Sequence, residues 1–193
     1  MKFNELLSQL KTNGTKHILV TGPQRSGTTI ATYILAKELE GRFCWERFIG
    51  TRDFPRFIKL TESMKEDTYV VQGPAICHKL LEVPEDIAIV FMKRDTNDII
   101  ASEKRVGWRR PDGTGQNIGE RKRFIEWEDQ LDMTQEVSDV KCEYLEKIVK
   151  PVIKNDLYEL DYESMASHPL WIDKDARKDF KSHQLAPSIN LVR

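Results

Sequence analysis

Residues 17–36 constrain the fold of this chain more than any other segment. They comprise an apolar run at 17–20, a turn with glycines at Gly22 and Gly27, and a helical pattern from Thr28 onwards. A strand that turns through two glycines into the start of a helix binds anions well, because the N–H groups of the turn and the positive end of the helix dipole converge. The segment therefore predicts a phosphate-binding turn, and a chance glycine-rich turn is the alternative.

The rest of the chain alternates strand patterns with helical patterns. We expect strands at 17–21, 43–46, 68–72, 87–93 and 156–160, and helices at 3–12, 28–40, 55–65, 74–82, 95–106, 119–132, 137–150, 162–167 and 173–181. Such alternation is typical of a parallel sheet with both faces covered, which binds ligands at the carboxyl ends of its strands. We predict an α/β fold of the three-layer, P-loop type, with a mostly parallel central sheet flanked by helices, in a single domain spanning residues 1–193.

Composition excludes several classes of protein. Hydrophobic residues make up 39% of the chain and charged residues 32%, with a formal net charge of −1, whereas general nucleic-acid binders are usually basic. No apolar stretch is long enough to span a bilayer, and residues 1–11 lack the apolar core of a secretory signal. The cysteines Cys44, Cys77 and Cys142 are odd in number and widely spaced, which favours free thiols. We expect a cytoplasmic protein without nucleic-acid or membrane partners.

The turn departs from the nucleoside-triphosphate version at one position. That version reads G-x-x-x-x-G-K-[ST] and places its lysine on the β- and γ-phosphates. Gly22 and Gly27 have the correct separation, but Thr28 stands where the lysine belongs and a cation, Arg25, lies inside the turn. The turn should therefore bind an anion without the usual contacts to a triphosphate and its magnesium.

Two segments together resemble the sulfotransferases that use 3′-phosphoadenosine 5′-phosphosulfate (PAPS). Residues 23–29, PQRSGTT, resemble the family's P-[KR]-[ST]-G-T-[TS] loop, closest to the tyrosylprotein and carbohydrate types, with one extra residue before the cation. Residues 94–102, RDTNDIIAS, follow the strand at 87–93 and resemble the R-D-P-x-D-x-x-x-S motif of the 3′-phosphate site. A weaker match at 156–165 resembles a late strand followed by Y-E-D-L, so the resemblance extends over about residues 17–167.

The resemblance implies a set of donor-binding residues. Those expected at the 5′-phosphosulfate are Arg25, Ser26, Gly27, Thr28 and Thr29, with Arg25 also stabilising charge on the bridging oxygen; those expected at the 3′-phosphate are Arg94 and Ser102. An ordinary strand-to-helix turn capped by Asp95 or Thr96 is the alternative reading of the second motif. PAPS would be the co-substrate, and no metal is expected.

The acceptor also requires a general base. Glu46, after the second expected strand, stands where the catalytic glutamate of tyrosylprotein sulfotransferases would, although it could instead be a surface residue paired with Arg47. His78 is the second candidate, because cytosolic sulfotransferases use a histidine between the two phosphate motifs.

The chain departs from the family at two places. Gln72 stands where related enzymes have a second catalytic lysine. The C-terminal motifs of cytosolic sulfotransferases are absent, and only Ser182 and Gln184 are weak candidates for nucleotide contacts there.

The expected reaction is sulfuryl transfer from PAPS to a hydroxyl or amine of a small-molecule, sugar or peptide acceptor. The alternatives are a P-loop nucleotide or small-molecule kinase and a catalytically inactive nucleotide-binding module.

Residues 106–119 contain four glycines and a proline, and they are expected to form either a lid or a solvated, mobile loop. As a lid, this segment would supply anion contacts from Arg109 and Arg110, with Arg105 beside it, and a stacking surface at Trp108.

Overall fold

The computed structural model describes residues 1–46, 54–63 and 67–172. Within them, five parallel strands form one sheet in the order β2-β3-β1-β4-β5. The strands are β1 (His17–Thr21), β2 (Arg42–Cys44), β3 (Tyr69–Gln72), β4 (Ala88–Lys93) and β5 (Leu157–Asp161). The predicted α/β class and the parallel central sheet are confirmed.

Helical segments connect the strands. The α-helices are α1 (Phe3–Thr12), α2 (Thr28–Glu38), α3 (Phe54–Ser63), α4 (Thr96–Arg105), α5 (Val137–Tyr144) and the short α6 (Pro169–Ile172). The 3₁₀ segments are Pro74–Glu82, Gln116–Trp127 and Tyr162–Met165, and a π-helical turn, Leu145–Val149, continues α5.

Apolar side chains are buried on both faces of the sheet. Ile18 and Val20 of β1 belong to a cluster with residues of α1 and α2, whereas Leu19 belongs to a second cluster that contains Phe57 and Tyr144. All three β1 residues are completely buried. Because successive side chains of a strand point to opposite faces, this division shows helical layers on both sides of the sheet.

The strand order places one crevice at the carboxyl end of β1. The chain places β3 on one side of β1 and β4 on the other, with Val20 in register with Gln72 and with Val90. Ligands of open α/β sheets bind where neighbouring strands diverge in this way. The β1–α2 turn, the end of β3 and the residues after β4 therefore meet at the same edge.

Several predicted elements differ in type or extent. Three segments expected to be helical, 74–82, 119–132 and 162–167, are 3₁₀ segments, at Pro74–Glu82, Gln116–Trp127 and Tyr162–Met165. Both helix types bring residues i and i+3 to one face, so apolar spacing does not distinguish them. Helix α6 was not predicted, and the helix predicted at 173–181 lies outside the described residues. No helix in the described part of the chain combines the length and apolar character needed to cross a bilayer.

Candidate anion-binding site

The β1–α2 turn depends on its two glycines. Gly22 has a φ of 126°, and a Cβ there would lie 2.9 Å from the carbonyl oxygen of Met92 on β4. Gly27 has a φ of 95° and is the N-cap residue of α2, where a Cβ would clash with the ring of Tyr162. Residues with a side chain rarely adopt these conformations, and neither position has room for one. The glycine spacing therefore has a local structural cause.

Internal hydrogen bonds shape the turn. The backbone N–H and the hydroxyl of Ser26 both donate to the carbonyl oxygen of Pro23, at 3.3 and 2.6 Å. Arg25 has a φ of 64°, which is unfavourable for a residue with a long side chain, and its carbonyl oxygen accepts a hydrogen bond of 2.9 Å from Nη1 of Arg94. Ser26 is fully buried, so its side chain supports the turn from inside.

The first turn of α2 presents donors to an anion. The N–H groups of Thr28 and Thr29 have no acceptor within the helix, because the first residues of an α-helix lack a partner four positions earlier. Gln72, at the end of β3, donates from Nε2 to the hydroxyls of Thr28 and Thr29, at 3.2 and 2.8 Å. Since each hydroxyl accepts from Gln72, its own hydrogen is able to donate to a bound anion. Gln72 thus orients two donors.

Three arginines lie beside this turn. Ser102 on α4 is buried, and its Oγ lies 3.2 Å from Nε of Arg25 and 3.4 Å from Nη2 of Arg105. Arg94, directly after β4, contacts the same turn through the carbonyl oxygen of Arg25. The structure therefore brings together Arg25, Arg94 and Ser102, which the sequence assigned to two separate anion sites, and Arg105, which was expected as a further anion contact, lies with them. We call these four residues the arginine cluster.

The positive charge of the arginine cluster is not neutralised by the described residues. Within them, none of the three guanidinium groups forms a salt bridge with a carboxylate. Burial, and then the like charges of Arg105 and Arg94, lower the pKa of Arg25, although an arginine stays protonated at neutral pH. Nε of Arg94 is buried and has no hydrogen-bond partner among the described atoms. A bound anion would satisfy that N–H group and relieve the repulsion.

Aromatic rings cover two of these guanidinium groups. The Cζ atom of Arg25 lies 5.3 Å from the ring centroid of Trp108, and that of Arg94 lies 4.1 Å from the ring centroid of Tyr162. Cations over aromatic faces are attracted by the ring quadrupole. Trp108, expected to be a stacking surface, stacks on an arginine of the candidate site itself.

Residues 106–119 are tied to the protein by Arg109. Its guanidinium lies 3.1 Å from a carboxylate oxygen of Glu103 and 2.7 Å from one of Glu136, and its backbone forms a β-bridge with Gly115. Its side chain is only 10% exposed. Arg109 is therefore committed to two carboxylates, whereas the neighbouring Arg110 is exposed.

The two candidate bases occupy different surroundings. Glu46 lies two residues beyond β2, at the same sheet edge as the turn, but β3 separates β2 from β1, a lateral distance of about 10 Å. His78 lies in the 3₁₀ segment after β3, with its ring edge-on to Phe124 at 6.2 Å between centroids. Burial, and then the charges of Arg123 and Lys79, lower the pKa of His78 to about 4.

Sequence reasoning missed a buried ion pair behind the turn. Lys141 on α5 lies 2.8 Å from Glu120, and both contact Gln24 of the turn. A signal for Lys141 is present in the sequence: it follows Val137 and Val140 and precedes Tyr144 at helical spacing, so a lysine occupies the apolar face of α5. Glu120 has no comparable signal.

A small, partly open cavity lies beside the turn. Pro23 and Gln24 form one wall, Ile99 and Val137 contribute apolar surface, and Glu103 and Glu136 contribute carboxylates. Because the cavity shares a wall with the turn that carries Arg25, a molecule in it would lie next to the candidate anion site.

In comparisons with known proteins, no family model matches the sequence and no curated protein matches it. Among the described residues, no group of three or more histidine, cysteine, aspartate or glutamate side chains is arranged to hold a metal ion.

Proposed function

We propose that this protein is a sulfotransferase that moves a sulfuryl group from PAPS to a hydroxyl or amine acceptor and releases 3′,5′-ADP. The observation that carries the proposal is the arginine cluster, whose cations have no carboxylate partner among the described residues and lie beside the first turn of α2. PAPS carries anionic groups at both ends of its adenosine, and a ligand of that kind requires two groups of donors at one sheet edge. The resemblance of residues 23–29 and 94–102 to sulfotransferase motifs supports the same donor.

Each part of the site receives one role under this proposal. The N–H groups and hydroxyls of Thr28 and Thr29 bind the 5′-phosphate, and Gly27 permits its close approach. Arg94 and Ser102 bind the 3′-phosphate, where the unsatisfied Nε of Arg94 fits a phosphate oxygen. Ser26 holds the turn in shape through its bonds to Pro23.

The chemistry is an in-line transfer of the sulfuryl group from the bridging oxygen of PAPS to an oxygen or nitrogen atom of the acceptor. The bond from sulfur to the bridging oxygen breaks, a bond from sulfur to the acceptor atom forms, and the acceptor's proton passes to a base. Negative charge develops on the bridging oxygen, so a fixed cation beside it lowers the barrier. Arg25 is our candidate for that cation, because it belongs to the turn, contacts Ser102 and has no carboxylate partner among the described residues.

Glu46 is our candidate for the base, with His78 as the alternative. His78 lies inside the 3₁₀ segment with its ring against Phe124, rather than at the end of a strand, and this position makes it the weaker candidate. Glu46 follows β2 at the edge where the parallel strands end.

The surface around the small cavity beside Gln24 is our candidate for the region that the acceptor contacts. Its two carboxylates, Glu103 and Glu136, share the single guanidinium of Arg109, so its wall carries excess negative charge. We therefore expect uncharged hydroxyl acceptors or amines to react faster than acceptors that already carry phosphate or sulfate.

Two measurements test the proposed function against its alternatives. Calorimetry is expected to show binding of 3′,5′-ADP in the presence of a chelator, and no binding of ATP with either the chelator or magnesium present. Binding of ATP that requires magnesium would instead support a kinase. Incubation with radiolabelled PAPS and an acceptor panel is expected to yield a labelled product. Binding of 3′,5′-ADP without transfer to any acceptor would identify an inactive nucleotide-binding module.

A further inference from the structure

The buried ion pair behind the β1–α2 turn has no role in the site as described so far. Lys141 is 1% exposed, and its Nζ lies 2.8 Å from Glu120, 2.5 Å from Oε1 of Gln24 and 3.1 Å from the carbonyl oxygen of Pro74. An ammonium group has three N–H bonds, so these three acceptors satisfy it completely. The lysine thus connects α5 to two 3₁₀ segments and to the turn.

The amide of Gln24 is held at both ends. Its Nε2 donates to the two carboxylate oxygens of Glu120, at 2.8 and 2.9 Å, and its Oε1 accepts from Lys141. Burial raises the pKa of Glu120, but the charge of Lys141, the hydrogen bonds from Lys141 and Gln24 and the charge of Arg123 outweigh it, so the pKa lies below its ordinary value. Between an ionised carboxylate and an ammonium group, the amide has one favourable orientation.

Stability alone does not account for this pair. The cost of removing two charges from water offsets most of their attraction, and apolar residues of similar size often stabilise a core equally well. An apolar pair would, however, have no hold on Gln24, the residue directly before Arg25. That hold matters because Arg25 keeps a φ of 64°, which the chain does not favour by itself.

We propose that Lys141 and Glu120 are positioning residues that act through Gln24 to keep the turn and Arg25 in the anion-binding conformation. The effect on turnover rests on the proposed function, whereas the effect on the turn itself does not. A displacement of about 1 Å at a reacting group is enough to lower a rate by about 10²-fold.

Three variants distinguish the contribution of Gln24 from that of the ion pair between Lys141 and Glu120. Gln24→Ala removes the link and keeps the ion pair, and Lys141→Met combined with Glu120→Gln removes both charges without leaving one buried and unpaired. The triple variant combines these changes. The matched control is Lys154→Met with Glu85→Gln, which removes an exposed pair of the same 2.8 Å length, with side chains 73% and 66% exposed.

Turnover is the first readout. We expect kcat to fall about 10- to 100-fold in Gln24→Ala and in the pair variant, with the KM for PAPS rising less than about threefold, and the triple variant to be no worse than the pair variant. The control should keep the wild-type rate. A purely structural pair would lower the melting temperature and leave the kcat of the folded protein unchanged. Wild-type kcat in both test variants would overturn the inference and leave the proposed function standing.

Amide hydrogen exchange of the ligand-free protein is the second readout. We expect the N–H groups of Ser26 and Ala31, which donate to the carbonyl oxygens of Pro23 and Gly27, to exchange roughly tenfold faster in both test variants, and at the wild-type rate in the control. This readout does not depend on the reaction. If the wild type neither bound 3′,5′-ADP nor transferred sulfate, the proposed function would fail, and exchange would still decide whether the pair positions the turn. Unchanged exchange rates in the turn would contradict the proposal that Lys141 and Glu120 position it.

Discussion

The protein treats the cations near its candidate site in two different ways. Arg109 is largely buried and Lys141 is buried, and both have carboxylate partners, the first Glu103 and Glu136 and the second Glu120. The three arginines of the arginine cluster, by contrast, have no carboxylate partner among the described residues and lie beside the start of α2. A paired cation binds a further anion only by giving up a carboxylate, whereas an unpaired cation gains by binding one. The absence of a carboxylate partner among the described residues, rather than the number of cations nearby, therefore distinguishes the candidate site.

The largest expected effect lies in the paired region and concerns stability. Arg109→Met leaves two carboxylates without their cation, and the side chain of Glu103 is only 9% exposed. We expect the free energy of unfolding to fall by about 3 kcal/mol, the lower end of the range for breaking a buried ion pair from one side, because Glu136 is 32% exposed. Denaturant titration measures it, with the exposed Arg110→Met as control. A stability equal to that of the control would show that Arg109 is not structural.

The same kind of substitution in the arginine cluster should act on catalysis instead. In Arg25→Met we expect kcat to fall about 10²- to 10³-fold, the range found when one fixed donor to a developing oxyanion is removed. Unfolding stability should stay within about 1 kcal/mol of wild type, because the change also removes repulsion from Arg105 and Arg94. Steady-state kinetics and denaturant titration on one preparation test both parts. A stable variant with full activity would remove Arg25 from the mechanism.

Arg94→Met should weaken the ligand more selectively. We expect the affinity for 3′,5′-ADP to fall about 10- to 100-fold, corresponding to the loss of a charged hydrogen bond, and the affinity for 5′-ADP to change little. Calorimetry with both nucleotides measures the difference, and Arg42→Met, which removes an exposed ion pair with Asp67, is the control. Equal losses for the two nucleotides would indicate that Arg94 only supports the turn through the carbonyl oxygen of Arg25.

The sequence predicted the strand, turn and helix of the candidate site better than it predicted which charged side chains pair with one another. The strand at 17–21 and the start of the helix at Thr28 are confirmed, because glycines with positive φ fix the turn between them. Parallel strands share one edge, so the approach of Arg94 to the turn could be expected. The sequence does not show that Arg109 pairs with carboxylates while Arg105 contacts Ser102. Both arginines lie near the same glycine-rich segment, and no local pattern separates them. The pairing of Lys141 with Glu120 depends equally on how distant segments pack.

The smallest expected effect concerns His78, which borders the paired region through Arg123. Its pKa is lowered from 6.5 to about 4 by burial and then by the charges of Arg123 and Lys79. Between these values the unfolded chain binds more protons than the folded one, so stability is fully present above about pH 6.5 and is lost as the pH falls towards 4. Because the imidazole is partly exposed, the loss should be only about 1 kcal/mol.

His78→Gln should flatten this part of the stability profile, which denaturant titrations across that pH range would show. If kcat is also unchanged, the role of base falls to Glu46. If kcat falls by about 10²-fold or more and the acidic limb of the pH–rate profile near pH 4 disappears, His78 is the base. That second outcome would place a catalytic group among the paired charges. Cations without carboxylate partners would then identify the anion site alone rather than the whole active site.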